Sequence, residues 1–421
     1  MVFMGFRSAR TTGMQSPLTG SRPDERRRLR VCMVTYSVYE RDTRVRRYAE
    51  YLANEGHLVD VVSLTSERRE VFCASGNLRV YPIPMTRTRR EGLVQMVRWL
   101  VCAYVMFFFV TILDIKRRYD IVHIHNMPDF LVFCALIPRV RGCPVLLNIH
   151  DPVPEVTRSK LGLAQDHLLV RAQVWLERIC VKFSTHVVTA TRSFKEILVN
   201  RGVPADKITV IVNAADRRFF QPPATSVCED AGKKDFTLLY VGTVAARYGL
   251  DVAVRALALL KGQIPGLRLR VLPKIVREGA GLDMSLKLAK ELGVVDLVRV
   301  DKPVPLEEMP RIMRDADIGL YPARQDCHMD IALSLKIPEM ATVGLCVVSS
   351  RVPVLEELYG EDAIAFVPPG DHEALARKVL ELYRSPDERK RLAISAMERN
   401  RDLSWETEYE RYRNLLVRLV S

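Results

Sequence analysis

Residues 148–155 read NIHDPVPE. The apolar run CPVLLNI (143–149) feeds directly into His150 and Asp151, and Glu155 follows after two prolines. Proline cannot continue a central strand and stiffens what comes next. One imidazole and two carboxylates are therefore delivered to the end of a buried strand and held by a rigid turn. Such a set can ligate a metal, move a proton, or simply form a polar turn. A second constellation is His123 and His125, the one close pair among eight histidines. Alternating on a strand, they share a face, and His150 on the next strand is available as a third ligand. Histidines at strand ends more often pack or hydrogen-bond, so no metal is expected.

Short apolar runs alternate with helical stretches around these residues. Strands are expected at 29–36, 58–64, 119–125, 143–149, 185–190 and 207–213, and helices at 42–57, 129–137, 167–183 and 194–200. Asp42 and Thr43 supply cap chemistry for the first helix. After a Pro-Pro and charge-rich linker, 215–235, the rhythm restarts at 236–242. It continues with a helix at 250–262 and strands at 266–272, 296–300, 316–322, 344–350 and 363–370. From Asp371 the chain is almost continuous helix, broken near Ser385 and Ser404. This alternation predicts α/β halves built on parallel sheets. Open parallel sheets bind ligands at the carboxyl ends of their strands, so a site is expected in a cleft between 30–214 and 236–403. The last helix, 404–421, is expected to pack back on the first half.

The formal net charge is +13, from 63 Lys and Arg against 50 Asp and Glu. Such an excess suits a phosphate-bearing ligand, a membrane surface or nucleic acid. Part of it sits in a basic tail, 1–29, which lacks the apolar core of a secretory signal. The positive charge is not interleaved with stacking aromatics, so no nucleic-acid partner is expected. Nine cysteines without close pairing argue for a reducing, cytoplasmic compartment. Residues 93–113, LVQMVRWLVCAYVMFFFVTIL, are followed by Lys116, Arg117 and Arg118. A spanning helix needs about 20 apolar residues, and the uncharged stretch from Trp99 is shorter. The segment reads as a helix lying in the membrane interface, with a core helix and a span as alternatives.

The two-half plan, DTRVRR after the first strand, YDIVHIHNMPDFLVFCALIP, LLNIHDPVPE, YVGTVAARYGLD and SLKIPEMATVGLCVVSS together resemble a family 4 glycosyltransferase of the GT-B fold, two Rossmann-like doubly wound parallel-sheet domains facing a cleft. The likeness is to bacterial enzymes of exopolysaccharide or lipid-linked glycan synthesis. It implies metal-independent, retaining transfer of a sugar from a nucleotide-diphosphate sugar to a glycan or lipid-diphosphate acceptor. No cofactor is implied, since the nucleotide-sugar is a substrate. The implied setting is the inner face of the plasma membrane.

The resemblance also implies site residues. Gly242, Thr243, Arg247 and Tyr248 fall on the donor-phosphate turn, although the family's Arg and Lys are replaced here by Thr243 and Tyr248. Lys336 points towards the phosphates, Glu339 holds the ribose hydroxyls, and Arg324 is a further phosphate ligand. The family's sugar-contacting glutamate falls on Ile331, and Lys274 is a weak substitute for the missing charge. His150 stands beside the donor sugar. With Asp151 and Lys336 it forms the implied catalytic set, while Asp42, Arg44, Asn126 and Glu155 lie on the acceptor side. Glu155 alternatively caps the next helix, and Arg46 and Arg47 are further acceptor-phosphate candidates. Rival readings are a nucleotide-sugar epimerase, which needs no acceptor, and a non-catalytic scaffold, which the missing cations favour.

Overall fold

The computed structural model describes residues 27–65, 70–86, 92–223, 235–273 and 279–421. The tail through residue 26, residues 224–234 of the linker and Lys274 lie outside them. The first half is an eight-stranded sheet. Its strands are β1 (Arg30–Val38), β2 (Leu58–Leu64), β3 (Phe72–Ser75), β4 (Leu78–Ile83), β5 (Ile121–His125), β6 (Val145–Ile149), β7 (His186–Thr189) and β8 (Ile208–Val210). Their order is β3-β4-β2-β1-β5-β6-β7-β8. The central strands are apolar and buried on both faces, as parallel strands under helices must be. Edge strand β3 is antiparallel to β4. The helices are α1 (Thr43–Asn54), α2 (Leu93–Arg117), α3 (Leu136–Val140), α4 (Val153–Leu161), α5 (Leu168–Phe183) and α6 (Arg192–Asn200).

The second half has six parallel strands in the order β11-β10-β9-β12-β13-β14. They are β9 (Phe236–Gly242), β10 (Leu267–Pro273), β11 (Val298–Val300), β12 (Ile318–Tyr321), β13 (Cys346–Ser350) and β14 (Ala365–Val367). The helices are α7 (Leu250–Leu260), α8 (Gly279–Glu291), α9 (Met309–Arg314), α10 (Lys336–Thr342), α11 (Pro353–Tyr359), α12 (His372–Arg384), α13 (Pro386–Arg399) and α14 (Trp405–Val420). Each sheet reverses strand order beside its first strand, between β1 and β5 and between β9 and β12. Ligands bind at such reversals.

Several local expectations are corrected. The helix expected at 129–137 is a 3-10 turn over Asp129–Ala135 that leads into α3. The strand expected at 207–213 pairs only over Ile208–Val210. The β3–β4 hairpin and α4 have no counterpart in the sequence reading, and the described part of the linker runs to residue 223. Within it Phe220 is buried, and Ala215 forms a bridge to Ser404.

The last helix crosses to the first half. Trp405, Tyr409 and Tyr412 join the buried cluster that includes Tyr48, Leu52 and Val61. The Trp405 ring stands edge-on to Tyr48 at 4.7 Å, and the Arg47 guanidinium lies 4.1 Å over it. Arg47 also donates to Asn213 Oδ1 (2.6 Å) and the Ala214 carbonyl (2.8 Å). A single buried cation thereby joins α1, the crossing chain and α14, so it is not an acceptor-phosphate ligand.

Candidate active site

From the first half, the loop after β1 opens α1. Asp42 Oδ1 accepts from the backbone N–H groups of Arg44 (3.2 Å) and Val45 (3.4 Å), the N-cap arrangement its residue type favours. Burial alone raises its carboxyl pKa, but the charge of Arg44 and further donors outweigh that and hold it far below the usual range. Asp42 is thus a cap that positions Arg44, which corrects its placement as an acceptor contact. Arg44 lies 3.5 Å from Asp42 and 3.6 Å from Asp151. Arg46 pairs with Glu50 at 3.0 Å.

The end of β6 is clamped by Asn126. Its Oδ1 accepts from the His150 N–H (2.8 Å), and its Nδ2 donates to the Asp151 carbonyl (2.8 Å) and to Asp129 (2.9 Å). With its amide spent on the protein, Asn126 is a clamp and not the acceptor ligand of the sequence reading. Glu155 is corrected likewise. It is buried in the first turn of α4 and ion-paired with Arg201, which also binds Glu177 at 2.8 Å. Arg201 holds its Oε1, while its Oε2 is buried without a hydrogen-bond partner, so it is burial that keeps this side chain from an acceptor.

His123 and His125 turn to different partners. His123 Nδ1 meets the Tyr412 hydroxyl at 2.8 Å, and His125 Nδ1 meets His150 Nε2 at 3.0 Å with the rings stacked. Burial pushes all three imidazoles well below their ordinary pKa, helped for His150 by the charge of Arg44. His150 is therefore a neutral hydrogen-bonding group at working pH.

From the second half, the turn after β9 carries Gly242 at φ 125°, a conformation that favours glycine. A Cβ there would lie 3.9 Å from Lys336 Cγ, so the lysine stem passes over the turn. Gly249, at φ 68°, brings this loop against the end of β12. A Cβ on it would fall 1.8 Å from the Pro322 carbonyl oxygen, which admits no other residue without movement. Lys336 Nζ donates to Glu339 Oε2 at 2.8 Å, and Glu339 is 2% exposed. The Thr243 carbonyl accepts from Tyr240, and Tyr248 packs its ring against the second-half core. Arg324 pairs with Asp251 at the start of α7. Its side chain remains 45% exposed beside the glycine turn's helix.

Further connections that the sequence reading missed cross between the halves, two of them beside the candidate residues. Arg247 Nη1 donates to Ser159 Oγ on α4 (2.8 Å), and Ser159 Oγ donates to Asp326 Oδ2 (2.6 Å). His328 Nε2 lies 3.4 Å from Asp151 Oδ1. Burial tends to raise the Asp151 carboxyl, but His328 and Arg44 together hold it below its usual pKa. A carboxylate lowered in this way keeps its contacts through the neutral range and loses them only in acid. The available signal was QDCHMD, a histidine between carboxylates just past the strand of 316–322. If His328 acts by aiming Asp151, then His328→Ala slows turnover about tenfold and adds almost nothing in an Asp151→Asn background. Additive losses in a kcat double-mutant cycle sink that role.

The arrangement sets a lysine, a glutamate and an arginine around a glycine turn on one side of a cleft. A neutral histidine and an ionised aspartate stand on the other. The "Glycosyl transferase 4-like domain" family matches residues 42–214, and "Glycosyl transferases group 1" matches 228–399. The D-inositol 3-phosphate glycosyltransferase of Thermomonospora curvata is 26% identical over 310 residues, 70% of each chain. In structure, sucrose-phosphate synthase from Thermosynechococcus elongatus superposes with a TM-score of 0.75 at 20% identity, over 93% of this chain and 99% of that one. Anabaena HepE in complex with UDP-glucose gives 0.66 at 13%, over 92% and 99%.

Proposed function

We propose a specific reaction for this chain, which belongs to the family 4 glycosyltransferases of the GT-B fold. It moves a sugar from a nucleotide-diphosphate sugar, with retained anomeric configuration and without a metal, to a lipid-linked or glycan acceptor of cell-surface polysaccharide synthesis. The work takes place at the cytoplasmic face of the membrane. The observation that carries this reading is Lys336 lying over Gly242, beside Glu339, at the strand reversal of the second half. HepE, solved with UDP-glucose, supports a nucleotide-sugar donor.

As the glycosidic bond breaks, negative charge grows on the diphosphate. A preformed cation at that point stabilises the transition state. Lys336 supplies it, with Arg247 the nearest replacement for the cations missing at Thr243 and Tyr248. Glu339 accepts from the vicinal ribose hydroxyls. Across the cleft, His150 gives a neutral polar contact to the sugar. Asp151, kept ionised, accepts a hydrogen bond from the acceptor hydroxyl that attacks.

The test is incubation with UDP-, GDP- and ADP-sugars and lipid-linked acceptors, with and without chelator, reading product anomer by NMR. Transfer that survives chelation with retained configuration is the expected result. No transfer and no donor hydrolysis across the panel refutes it. The missing cations favour a scaffold as the second reading. Calorimetry with UDP, GDP and ADP separates the two, because a chain without a donor pocket shows neither heat nor thermal stabilisation.

A further inference from the structure

We infer that the protein rests on an anionic phospholipid bilayer through the outward face of α2, which lies in the plane of the membrane surface and does not cross it. The statement about the partner stands on this helix alone; what it adds about the acceptor rests on the reaction proposed above.

By length and composition α2 is apolar enough to cross a bilayer. Its 25 residues reach about 37 Å, more than the roughly 30 Å of hydrocarbon. One side, however, is built into the fold. Cys102, Met106 and Val110 are fully buried in the first-half core, and the Ala103 carbonyl accepts from Cys134 Sγ at 3.2 Å. Near its end, Asp114 is 2% exposed, binds Arg141 at 2.6 Å and accepts from the Tyr119 N–H. A spanning helix would strip these contacts and open the core of the first half. A core helix would not leave its other side bare.

That other side is a continuous stripe at helical spacing. Val97, Leu100, Tyr104, Phe108, Ile112 and Ile115 are 44% to 70% exposed. Residues three and four apart share a helix face, so these side chains form one apolar ridge. The helix α3 packed against α2 also exposes Leu136 and Val140, the latter 79% exposed. Apolar surface this continuous marks a contact site.

Charge chooses the occupant. The only acidic residue between Val94 and Arg117 is the buried, paired Asp114, while Lys116 and Arg118 are exposed at the helix end. An apolar face bordered by cations is the pattern of a helix lying among anionic headgroups, and the chain carries +13 overall.

The helix also has a direction. Its first turns lie at the carboxyl end of β1, where Gln95 donates to the Tyr36 hydroxyl (3.3 Å) and Trp99 stands edge-on to the Tyr36 ring (6.3 Å). Asp42 and Arg44 follow that strand directly. Its last turns lie towards the amino end of the strands, where Arg117 faces Asp60 of β2 at 3.7 Å. With α2 in the interface, the cleft end of the first half is held at the bilayer. An acceptor anchored by a lipid then presents its phosphates beside the loop that carries Arg44.

The test is flotation of the full chain with vesicles of phosphatidylcholine alone and mixed with phosphatidylglycerol. Binding to the mixed vesicles, weakened by salt, is expected. Tyr104→Ser with Phe108→Ser weakens it about tenfold or more, and Lys116→Gln with Arg118→Gln removes the preference for anionic lipid. Alkaline carbonate releases an in-plane helix from native membranes, so retention in the pellet overturns the inference in favour of a span. Circular dichroism and sedimentation accompany each variant. Unfolding of Tyr104→Ser and Phe108→Ser, and of Ile112→Ser and Ile115→Ser, shows a packed face and overturns it. So does a wild-type dimer that the same changes dissolve, since the occupant is then a second copy. UDP calorimetry on the same protein separates the two proposals. With GDP and ADP run beside UDP, nucleotide binding without vesicle binding overturns this one and leaves the reaction standing, whereas vesicle binding with none of the three bound does the reverse.

Discussion

Replacing Lys336 with alanine lowers turnover about 10²- to 10³-fold and leaves the affinity for the donor's nucleoside diphosphate within a few-fold. That magnitude is what one preorganised donor contributes to a developing anion. The split follows from where the charge is needed. The diphosphate is already charged in the ground state, but the additional charge appears only as the sugar departs, so the lysine acts mainly on kcat. Lys336 is held for this by its stem over Gly242 and its bond to Glu339 at 2.8 Å. Alanine also leaves the buried Glu339 carboxylate without that partner, which is destabilising in itself. Lys336→Gln is the control, because it keeps a hydrogen-bond donor and removes the charge. Steady-state kinetics on both variants decide the matter. If the glutamine variant retains full kcat, the electrostatic role is wrong.

Replacing Trp405 with alanine destabilises the protein by about 3–5 kcal/mol, the usual loss for a fully buried tryptophan. The ring is 0% exposed and packs edge-on to Tyr48. It also covers the Arg47 guanidinium, itself 4% exposed. Truncation leaves a cavity and a less shielded cation at a place where α1, the crossing chain and α14 meet. Trp405→Phe restores part of the packing and loses much less. The urea midpoint reads both variants. A loss below about 1 kcal/mol for the alanine variant means that α14 contributes little to joining the halves.

The alternation of buried strands and amphipathic helices was readable because each carries its own period, and so was the GT-B plan. Boundaries were less so. Ile208–Val210 pairs only with β7 at the sheet edge, and the apolar run around it extended the strand expectation beyond the ladder. The 129–137 stretch has helical composition, yet Pro128 and the Asn126 clamp set it off as a 3-10 turn. The carboxylates show the same division. Asp42, Asp151 and Glu155 look alike in sequence, but one caps a helix, one faces the cleft and one is consumed by Arg201 from a helix 46 residues away.

By itself, the sequence determined most of the strands and helices, the two halves, the family, and the strand ends at which chemistry must sit, because local periodicity and strand-end position are properties of the chain. Tertiary structure alone decided which polar groups are free. Contacts between residues distant in sequence set the partners of each carboxylate and cation, as Arg201 meets Glu155 and Asp251 meets Arg324. It also decided that His328 reaches Asp151 across the cleft, and that α2 buries one side while leaving the other bare. Hydropathy counts apolar residues along a helix, and only packing says which of them have a neighbour.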